Sequence, residues 1–230
     1  MLFLVLGKGK TGSLVAEVAR ERGHGVRVLD YRENADASAL TAPNLAGVDA
    51  VIDFTTPEAA VKNMRAVLAL GSRIVVGTTG WYAQLDEMKT LAGKRGGALL
   101  YGSNFSIGVQ TLFRLTASLA QLDGYSFAIE ETHHTSKLDA PSGTALTLKE
   151  IIRLVRPDAE VPIAAHRAGD ANGEHIVRAT SAQDVLELRH DARSRRGFAL
   201  GAVRAAEWIA GKSGATRPGV WEFREIFDRL

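Results

Sequence analysis

The 230-residue sequence predicts an α/β fold, in which a Rossmann-like nucleotide domain with a parallel sheet precedes an α+β domain with a mixed or antiparallel sheet. Over about the first hundred residues, short β-branched apolar runs alternate with helical patterns, which is typical of a parallel sheet covered on both faces. After residue 105 the pattern changes to strand-like pieces joined by short polar turns, as in antiparallel pairing.

The first domain is expected to cover residues 1–105. Apolar runs predict strands at 2–6, 25–30, 49–54, 73–77 and 98–102, and helical spacing predicts helices at 13–22, 57–70 and 81–94. Thr56 is the expected N-cap of the 57–70 helix, with Pro57 at its first position.

The second domain is expected to begin at residue 106. Its predicted strands are 126–131, 161–169, 174–181 and 184–192, and its predicted helices are 107–122, one that ends near 155, and 197–211.

The composition excludes several kinds of site and partner. The absence of cysteine rules out disulfides, thiolate metal sites and cysteine nucleophiles, which fits a cytoplasmic protein. The net charge of +2 comes from interspersed charges, so we expect no nucleic-acid partner. The basic cluster at 189–196 indicates a solvated face or, alternatively, a site for an acidic ligand. No apolar run approaches the roughly 20 residues of a membrane span, so we expect no membrane partner.

A G-x-G-x-x-G pattern follows the first strand and opens the first helix. Gly7 permits a tight turn, Gly9 lets the backbone approach a pyrophosphate, and Gly12 lets helix and strand pack closely. Asp30 ends the second strand, where an acid accepts hydrogen bonds from an adenosine ribose. This context favours dinucleotide binding over the alternative, a turn whose glycines serve packing alone.

The choice between NADH and NADPH stays open. Asp30 would repel a 2′-phosphate and favours NADH, whereas the cations Lys8, Lys10 and Arg32 would tolerate that phosphate or merely attract anions.

Three further strand ends, at 53–57, 77–81 and 102–108, carry small hydroxyl residues and backbone amides. Ligands of open α/β sheets bind at the carboxyl ends of the strands, so these loops suit a ribose or a nicotinamide carboxamide. Taken alone, each loop is better explained by ordinary cap and turn chemistry.

The segment 131–146, ETHHTSKLDAPSGTAL, places titratable side chains directly before a helix. The run at 142–144 predicts a helix N-terminus, capped by its serine or its threonine, and such an end binds a carboxylate. Lys137 adds a positive charge. Either His133 or His134 would change protonation when an anion binds, as a general acid must, and in an extended stretch only one of them faces a given spot.

The alternative to an anion-binding acid/base site is a polar connection that only starts a helix, although that start needs neither histidine nor Lys137. A metal site is not expected, because two adjacent histidines rarely chelate one ion and H-x-x-x-H spacing is absent.

These residues resemble a known family. The run E-x-H-H-x-x-K-x-D-A-P-S-G-T-A is similar to the signature of dihydrodipicolinate reductases (4-hydroxy-tetrahydrodipicolinate reductases) of lysine and diaminopimelate biosynthesis. The resemblance covers essentially the whole chain through GKGKTG, VIDFTTPEA, VVGTTG, NFSIG, R-x-G-x-x-x-G-E-H and R-x-x-F-A-x-G-A-V-x-A-A-x-W. The chain departs from many members at Tyr31, where they carry an arginine after the acid.

The resemblance implies reduction, by NADH or NADPH, of the cyclic dicarboxylate derived from aspartate semialdehyde and pyruvate. It implies that His133 donates and accepts a proton, that Lys137 is a second proton donor, and that His134 contacts the substrate. The substrate carboxylate is then held by Gly143 and Thr144 next to Ser142, at the predicted helix start. The implied nucleotide contacts are Gly7, Lys8, Gly9, Lys10, Thr11, Gly12, Asp30, Phe54, Gly77, Thr78, Thr79, Gly102, Ser103, Asn104 and Phe105.

The resemblance also implies a homotetramer assembled through the sheet of the second domain, 106–215, with 216–230 returning to the nucleotide domain. Two other functions compete with it, a nucleotide sensor without turnover and a reductase of a related imino or amino acid.

Overall fold

A computed structural model of the chain describes residues 1–211 and 217–230. The chain forms two compact units, one made of Met1–Ser106 and Arg196–Leu230, the other of Ile107–Arg195. Within the described ranges, no helix is long and apolar enough to cross a membrane.

A six-stranded parallel sheet is the centre of the first unit. Its strands are Leu2–Leu6 (β1), Gly25–Leu29 (β2), Ala50–Asp53 (β3), Arg73–Val76 (β4), Ala98–Tyr101 (β5) and Gly219–Glu222 (β10). They lie in the order β10-β5-β4-β3-β1-β2, and every pairing is parallel. The chain passes from β1 to β2 on one side and then to β3 on the other side of β1. The carboxyl ends of β1 and β3 therefore flank the crevice where ligands of such sheets bind.

Helices cover this sheet and bury its apolar strands. They are Lys10–Glu21 (α1), Ala42–Leu45 (α2), Pro57–Ala69 (α3), Leu85–Arg95 (α4), Arg196–Ile209 (α7) and Phe223–Ile226 (α8), with 3-10 turns at Ala35–Ala37, Tyr82–Gln84 and Phe227–Arg229. Thr56 caps α3 as predicted, because its hydroxyl accepts the Ala59 N–H and Pro57 holds the first helical position.

The helix α7 lies in the first unit, so the prediction that 106–215 forms one domain is corrected here. Gly201 lets α7 approach so closely that a Cβ there would lie 1.7 Å from the carbonyl oxygen of Phe105. Arg196 of α7 also donates a 2.7 Å hydrogen bond to Glu17 of α1. Residues 212–216, where the expected boundary falls, lie outside the described residues. The chain thus returns to the first unit about twenty residues earlier than predicted.

The second unit packs two helices against one face of a four-stranded mixed sheet. The strands Ser126–His133 (β6), Ile163–Arg167 (β7), Glu174–Thr180 (β8) and Val185–Asp191 (β9) lie in the order β7-β6-β8-β9, with helices Ile107–Leu119 (α5) and Gly143–Val155 (α6). The pairs β6–β8 and β8–β9 are antiparallel, whereas β7 runs parallel to β6 because α6 carries the chain across. Alternate residues of β6 from Phe127 to His133 are buried.

Candidate active site

The glycine loop between β1 and α1 leaves backbone amides open at a helix start. Gly7 has a φ of +101°, and a Cβ there would lie 2.5 Å from the carbonyl oxygen of Phe54, so glycine is required. A Cβ on Gly12 would lie 2.1 Å from the carbonyl oxygen of Gly7, which explains the close packing of α1. Gly9 is the N-cap of α1; among the described residues no side chain caps it, and a Cβ on it would meet no atom within 4 Å. Such an open helix start suits phosphate groups.

A cavity of about 680 Å³ in the first unit lies beside this loop. Five of the predicted nucleotide contacts line it: Gly7, Lys8, Gly9, Asp30 and Phe54. The cavity is large enough for the adenosine half of a dinucleotide.

Two carboxylates hold the ammonium of Lys8 at this cavity. Lys8 Nζ lies 2.7 Å from Glu33 Oε2 and 3.7 Å from Asp30 Oδ2, and the hydrogen bond with Glu33 above all raises the pKa of Lys8. The Asp30 carboxylate accepts the backbone N–H groups of Arg32 and Glu33 at 2.8 and 3.0 Å. The side chain of Arg32 donates to the hydroxyl of Tyr31 at 2.8 Å. Lys8 and Arg32 are therefore engaged by neighbouring side chains of the protein.

A buried carboxylate that the sequence did not single out organises the next two strand ends. Asp53, fully buried at the end of β3, accepts hydrogen bonds from the Thr55 hydroxyl at 2.7 Å, the Asn63 amide at 2.7 Å and the Thr78 hydroxyl at 3.2 Å. Burial raises the pKa of this carboxyl. The hydroxyl of Thr78 is thus engaged in a hydrogen bond that stabilises the fold, whereas the neighbouring Thr79 is exposed.

Glycines at the ends of β4 and β5 make room for aromatic rings. A Cβ on Gly77 would lie 2.2 Å from the ring of Phe54, and a Cβ on Gly102 would lie 2.9 Å from Phe223. Phe105 is 2% exposed and packs its ring 4.5 Å from that of Phe223. Among the remaining predicted contacts, Lys10 and Ser103 are exposed, Thr11 is half-buried, and Asn104 is buried with its side-chain oxygen accepting the Ser106 N–H.

In the second unit, the two histidines of the segment 131–146 have different environments because β6 ends at His133. His133 is 8% exposed, and its burial, with the nearby charge of His175, lowers its pKa to about 4. His134 is half-buried, with Nδ1 2.8 Å from the Ser136 hydroxyl and Nε2 3.4 Å from Arg195. At neutral pH the free protein therefore holds His133 uncharged, and a nearby anion would favour its protonation.

The start of α6 has the predicted cap. Ser142, rather than Thr144, is the N-cap, and its hydroxyl accepts the Ala145 N–H at 3.3 Å. Gly143 is exposed, and within the described structure a Cβ on it would meet no atom within 4 Å. The first residue of the helix is thus accessible to an anion.

One arginine anchors the loop between His133 and α6. Arg167 donates to the carbonyl oxygen of Lys137 at 3.3 Å and also to that of Asp139. The ammonium of Lys137 lies 2.7 Å from Asp139 Oδ1, and the Lys137 side chain as a whole is 22% exposed. The loop therefore keeps a partly buried cation near the helix start.

The buried carboxylate of Glu131 connects the start of α6 to Arg167, the arginine that anchors the loop. Glu131 is 1% exposed; its Oε1 accepts the Ser142 N–H at 2.9 Å and lies 3.4 Å from the guanidinium of Arg167. Burial alone would raise the pKa of Glu131, but its contacts with His175 and Ser142 outweigh burial and lower the pKa to about 2. The carboxylate is therefore ionised throughout the physiological range.

Four residues of this site had no role predicted from the sequence: Glu131, Arg167, His175, and Gly173, where a Cβ would lie 3.1 Å from His133 Nε2. All four stand in the motifs quoted above, E-x-H-H and R-x-G-x-x-x-G-E-H. Strand alternation offered one signal, because Glu131 shares the face of His133 two residues away. Cross-strand pairing, which sets Glu131 opposite His175, was not predictable without the register.

Comparisons with known proteins extend over both units. Residues 2–105 match the family profile described as dihydrodipicolinate reductase, N-terminus, and residues 108–227 match the profile of the C-terminus of the same family. Two relatives named 4-hydroxy-tetrahydrodipicolinate reductase are each 38% identical to this chain. The one from Christiangramia forsetii aligns over 93% of this chain and 94% of its own length. The one from Natronomonas pharaonis aligns over 89% of this chain and 92% of its own length.

A solved structure has the same fold. Dihydrodipicolinate reductase from Paenisporosarcina sp. TG-14, determined with dipicolinate bound, superposes with a TM-score of 0.79 at 23% identity, over 98% of this chain and 99% of that one. It confirms the predicted fold class, and the two profiles and the two relatives confirm the resemblance. The chain belongs to the dihydrodipicolinate reductase family.

Proposed function

We propose that this protein reduces 4-hydroxy-tetrahydrodipicolinate to tetrahydrodipicolinate with NADH or NADPH, in lysine and diaminopimelate biosynthesis. The reaction replaces a hydroxyl group by hydrogen, so the substrate loses water while it gains a hydride and a proton. The observation that supports this best is the buried, neutral His133 close in sequence to the open helix start at Gly143, in a chain whose full-length relatives carry this activity in their names.

The substrate is a dicarboxylate, and the second unit offers a helix N-terminus and a positive charge that would bind one of its carboxylates. The start of α6 presents the exposed Gly143 with Thr144 next to it, and the helix dipole favours an anion there. Ser142 keeps this end of the helix rigid through its cap. Lys137 adds a nearby positive charge, and the partly exposed His134 is a further contact.

The nucleotide belongs to the first unit. The residues present fit a dinucleotide, because Gly9 leaves space at a helix start and the 680 Å³ cavity runs to Asp30. When bound, the cofactor supplies the hydride. The side chains of Asp30 and Glu33 make the end of β2 anionic, which favours the ribose hydroxyls of NADH over the 2′-phosphate of NADPH.

Two side chains, His133 and Lys137, donate protons during the reaction. His133 takes up a proton when the anionic substrate neutralises the surrounding cations, and then donates it to the substrate. Lys137, held 2.7 Å from Asp139, is the second donor.

We further propose a homotetramer in the cytoplasm, where the reductive biosynthetic cofactor pool is found. The sheet face away from α5 and α6 carries a ladder of charges, in which Arg178 lies 2.7 Å from Glu130 and 2.9 Å from Glu187. These side chains are roughly 40% exposed, which suits association of copies through this face. Light scattering should give four times the mass of one chain, and a monomer would contradict the assembly.

The activity is tested by mixing the protein with NADH or NADPH and substrate freshly formed from aspartate semialdehyde and pyruvate. Absorbance at 340 nm should fall only when substrate, enzyme and cofactor are all present. Calorimetric binding of NADH without any oxidation would instead indicate a sensor, and faster turnover of a related cyclic imino acid would indicate another reductase.

Variants test the assigned roles. His133→Gln and Lys137→Ala should each lower kcat by about 100-fold or more, which is what general acid catalysis contributes. Lys149→Ala, the same truncation farther along α6, is the matched control and should keep full activity. Full activity in the first two variants would show that the roles are wrong.

A further inference from the structure

The second oxygen of the Glu131 carboxylate faces two histidines. Oε2 lies 3.5 Å from His133 Nδ1 and 3.6 Å from His175 Nε2, slightly beyond hydrogen-bond length. Among residues 1–211 and 217–230, neither Glu131 Oε2 nor His133 Nδ1 has a hydrogen-bond partner. A buried carboxylate oxygen and a buried ring nitrogen thus face each other without a bond, and within the same described ranges Nδ1 of the neighbouring His175 also has no hydrogen-bond partner.

The first oxygen of Glu131 is fully engaged, which fixes the carboxylate in place. It accepts the Ser142 N–H and contacts Arg167, so it joins the start of α6 to β7. His175 adds a second link, because its Nε2 lies 3.3 Å from the Ser142 hydroxyl and its ring meets that of His133 edge-on at 5.0 Å. The carboxylate therefore cannot turn away from His133 without disturbing the helix cap.

The other ring nitrogen of His133, Nε2, lies beside Gly173, where the absence of a side chain leaves room for the imidazole. A Cβ on Gly173 would lie 3.1 Å from His133 Nε2, and Gly173 has a φ of +134° that favours glycine. The ring is thus confined between Glu131 on its Nδ1 side and the glycine turn on its Nε2 side.

A divalent metal is the competing occupant, because the ligand atoms of Glu131, His133 and His175 lie within 4.8 Å of one another. The charge around them opposes a dication. Arg167 lies 3.4 Å from the same carboxylate, and the positive end of α6 points at it through the Ser142 N–H. A proton is better suited to this site than a metal ion.

We propose that Glu131, braced by His175, is a positioning residue for proton transfer, a role that depends on the proposed function of His133. When His133 is protonated, its Nδ1–H donates to Glu131 Oε2, and this bond fixes the ring so that Nε2–H is the proton donated to the substrate. His133 returns to the neutral form and recovers a proton from solvent, while the Nδ1 proton stays in place. A carboxylate that holds one ring nitrogen of a catalytic histidine in this way sets both tautomer and orientation.

The test compares Glu131→Gln with Glu131→Asp, and uses Glu150→Gln, the same amide substitution at an exposed position of α6, as the control. Glu131→Gln should lower kcat by about 100-fold with an unchanged KM for NADH. It should also shift the alkaline limb of the pH profile of kcat to lower pH, because His133 must be protonated to donate and the variant lowers its pKa. Glu131→Asp keeps the charge and should recover part of kcat. Glu150→Gln should behave as wild type.

Unchanged kcat and pH profile in Glu131→Gln would overturn the proposal, as would an equal loss at every pH that Asp does not relieve. Inhibition by micromolar Zn²⁺ that disappears in His175→Gln would also overturn it, in favour of a metal site. An NMR titration of His133 in wild type and Glu131→Gln needs no turnover, and the pKa should be lower in the variant. This titration separates failure of the inference from failure of the proposed activity, which would appear as a wild-type protein without turnover.

Discussion

Binding of a substrate-like dianion should protonate His133. In the free protein a pKa of about 4 leaves roughly one His133 in a thousand protonated at pH 7. Dipicolinate, the ligand named for the Paenisporosarcina structure, carries two carboxylates. A general acid works best with a pKa near the working pH, and raising the pKa of His133 from about 4 to about 7 requires about 4 kcal/mol of attraction between the imidazolium and the bound anion.

Two measurements check this. An NMR titration of the imidazole signals, with His133 assigned by its loss in His133→Gln, should give a pKa near 4 without dipicolinate and near 7 with it. Calorimetry at pH 7 in buffers of different ionisation enthalpy should report uptake of about half a proton per dipicolinate bound, and none in His133→Gln.

A pKa of His133 near its ordinary value of 6.5 in the free protein would contradict this prediction. A pKa that saturating dipicolinate leaves unchanged would contradict it equally, because the bound anion would then have no influence on the proposed proton donor.

Three further changes have defined outcomes. Glu33→Gln should raise the ratio of kcat/KM for NADPH to that for NADH by about 2- to 5-fold, because Lys8 loses the nearer of its two carboxylate partners and keeps only Asp30 at 3.7 Å; a falling ratio would refute this. Gly173→Ala should lower kcat about 10-fold, since its methyl would press on His133 at 3.1 Å, whereas Gly124→Ala, at φ +77° with no described atom within 4 Å, should lose about 1 kcal/mol of stability and keep kcat. Acid should weaken the fold in two stages. His133 has a pKa of about 4 in the folded chain against 6.5 in the unfolded chain, so as the pH falls the unfolded chain is protonated there first. The free energy of unfolding therefore falls by about 3 kcal/mol between pH 6.5 and 4. Glu131 has a pKa of about 2 in the folded chain against 4.5 in the unfolded chain, so the free energy of unfolding falls by about 3 kcal/mol more between pH 4.5 and 2. Urea titrations that show no decline in this free energy below pH 6.5 would contradict both stages.

Local patterns predicted most of the first sheet, because buried parallel strands read as continuous apolar runs separated by helical spacing. Gly7 and Gly12 behave as the pattern predicts, since a Cβ on either would collide with backbone oxygen. The strand Gly219–Glu222 was missed because its residues are only half-buried and lack an apolar run, although they pair with β5.

Long-range contacts set the limits of prediction. The helix Arg196–Ile209 has a helical pattern that does not reveal which sheet it covers, and only the approach of Gly201 to Phe105 settles that. At the site, alternation separated His133 from His134, which the structure places in different environments. The role of Glu131 depends on the pairing of β6 with β8 and on the backbone of Ser142, neither of which can be inferred from residues 131–133 alone.

The most direct test of the proposed activity follows the hydride itself. The protein is incubated with the freshly formed substrate and NADH carrying deuterium at both C4 positions of the nicotinamide, and the product is analysed by mass spectrometry. Tetrahydrodipicolinate should contain one deuterium per molecule, formed in step with oxidised cofactor. Product without deuterium, or oxidation of the cofactor without this product, would contradict the proposed reaction.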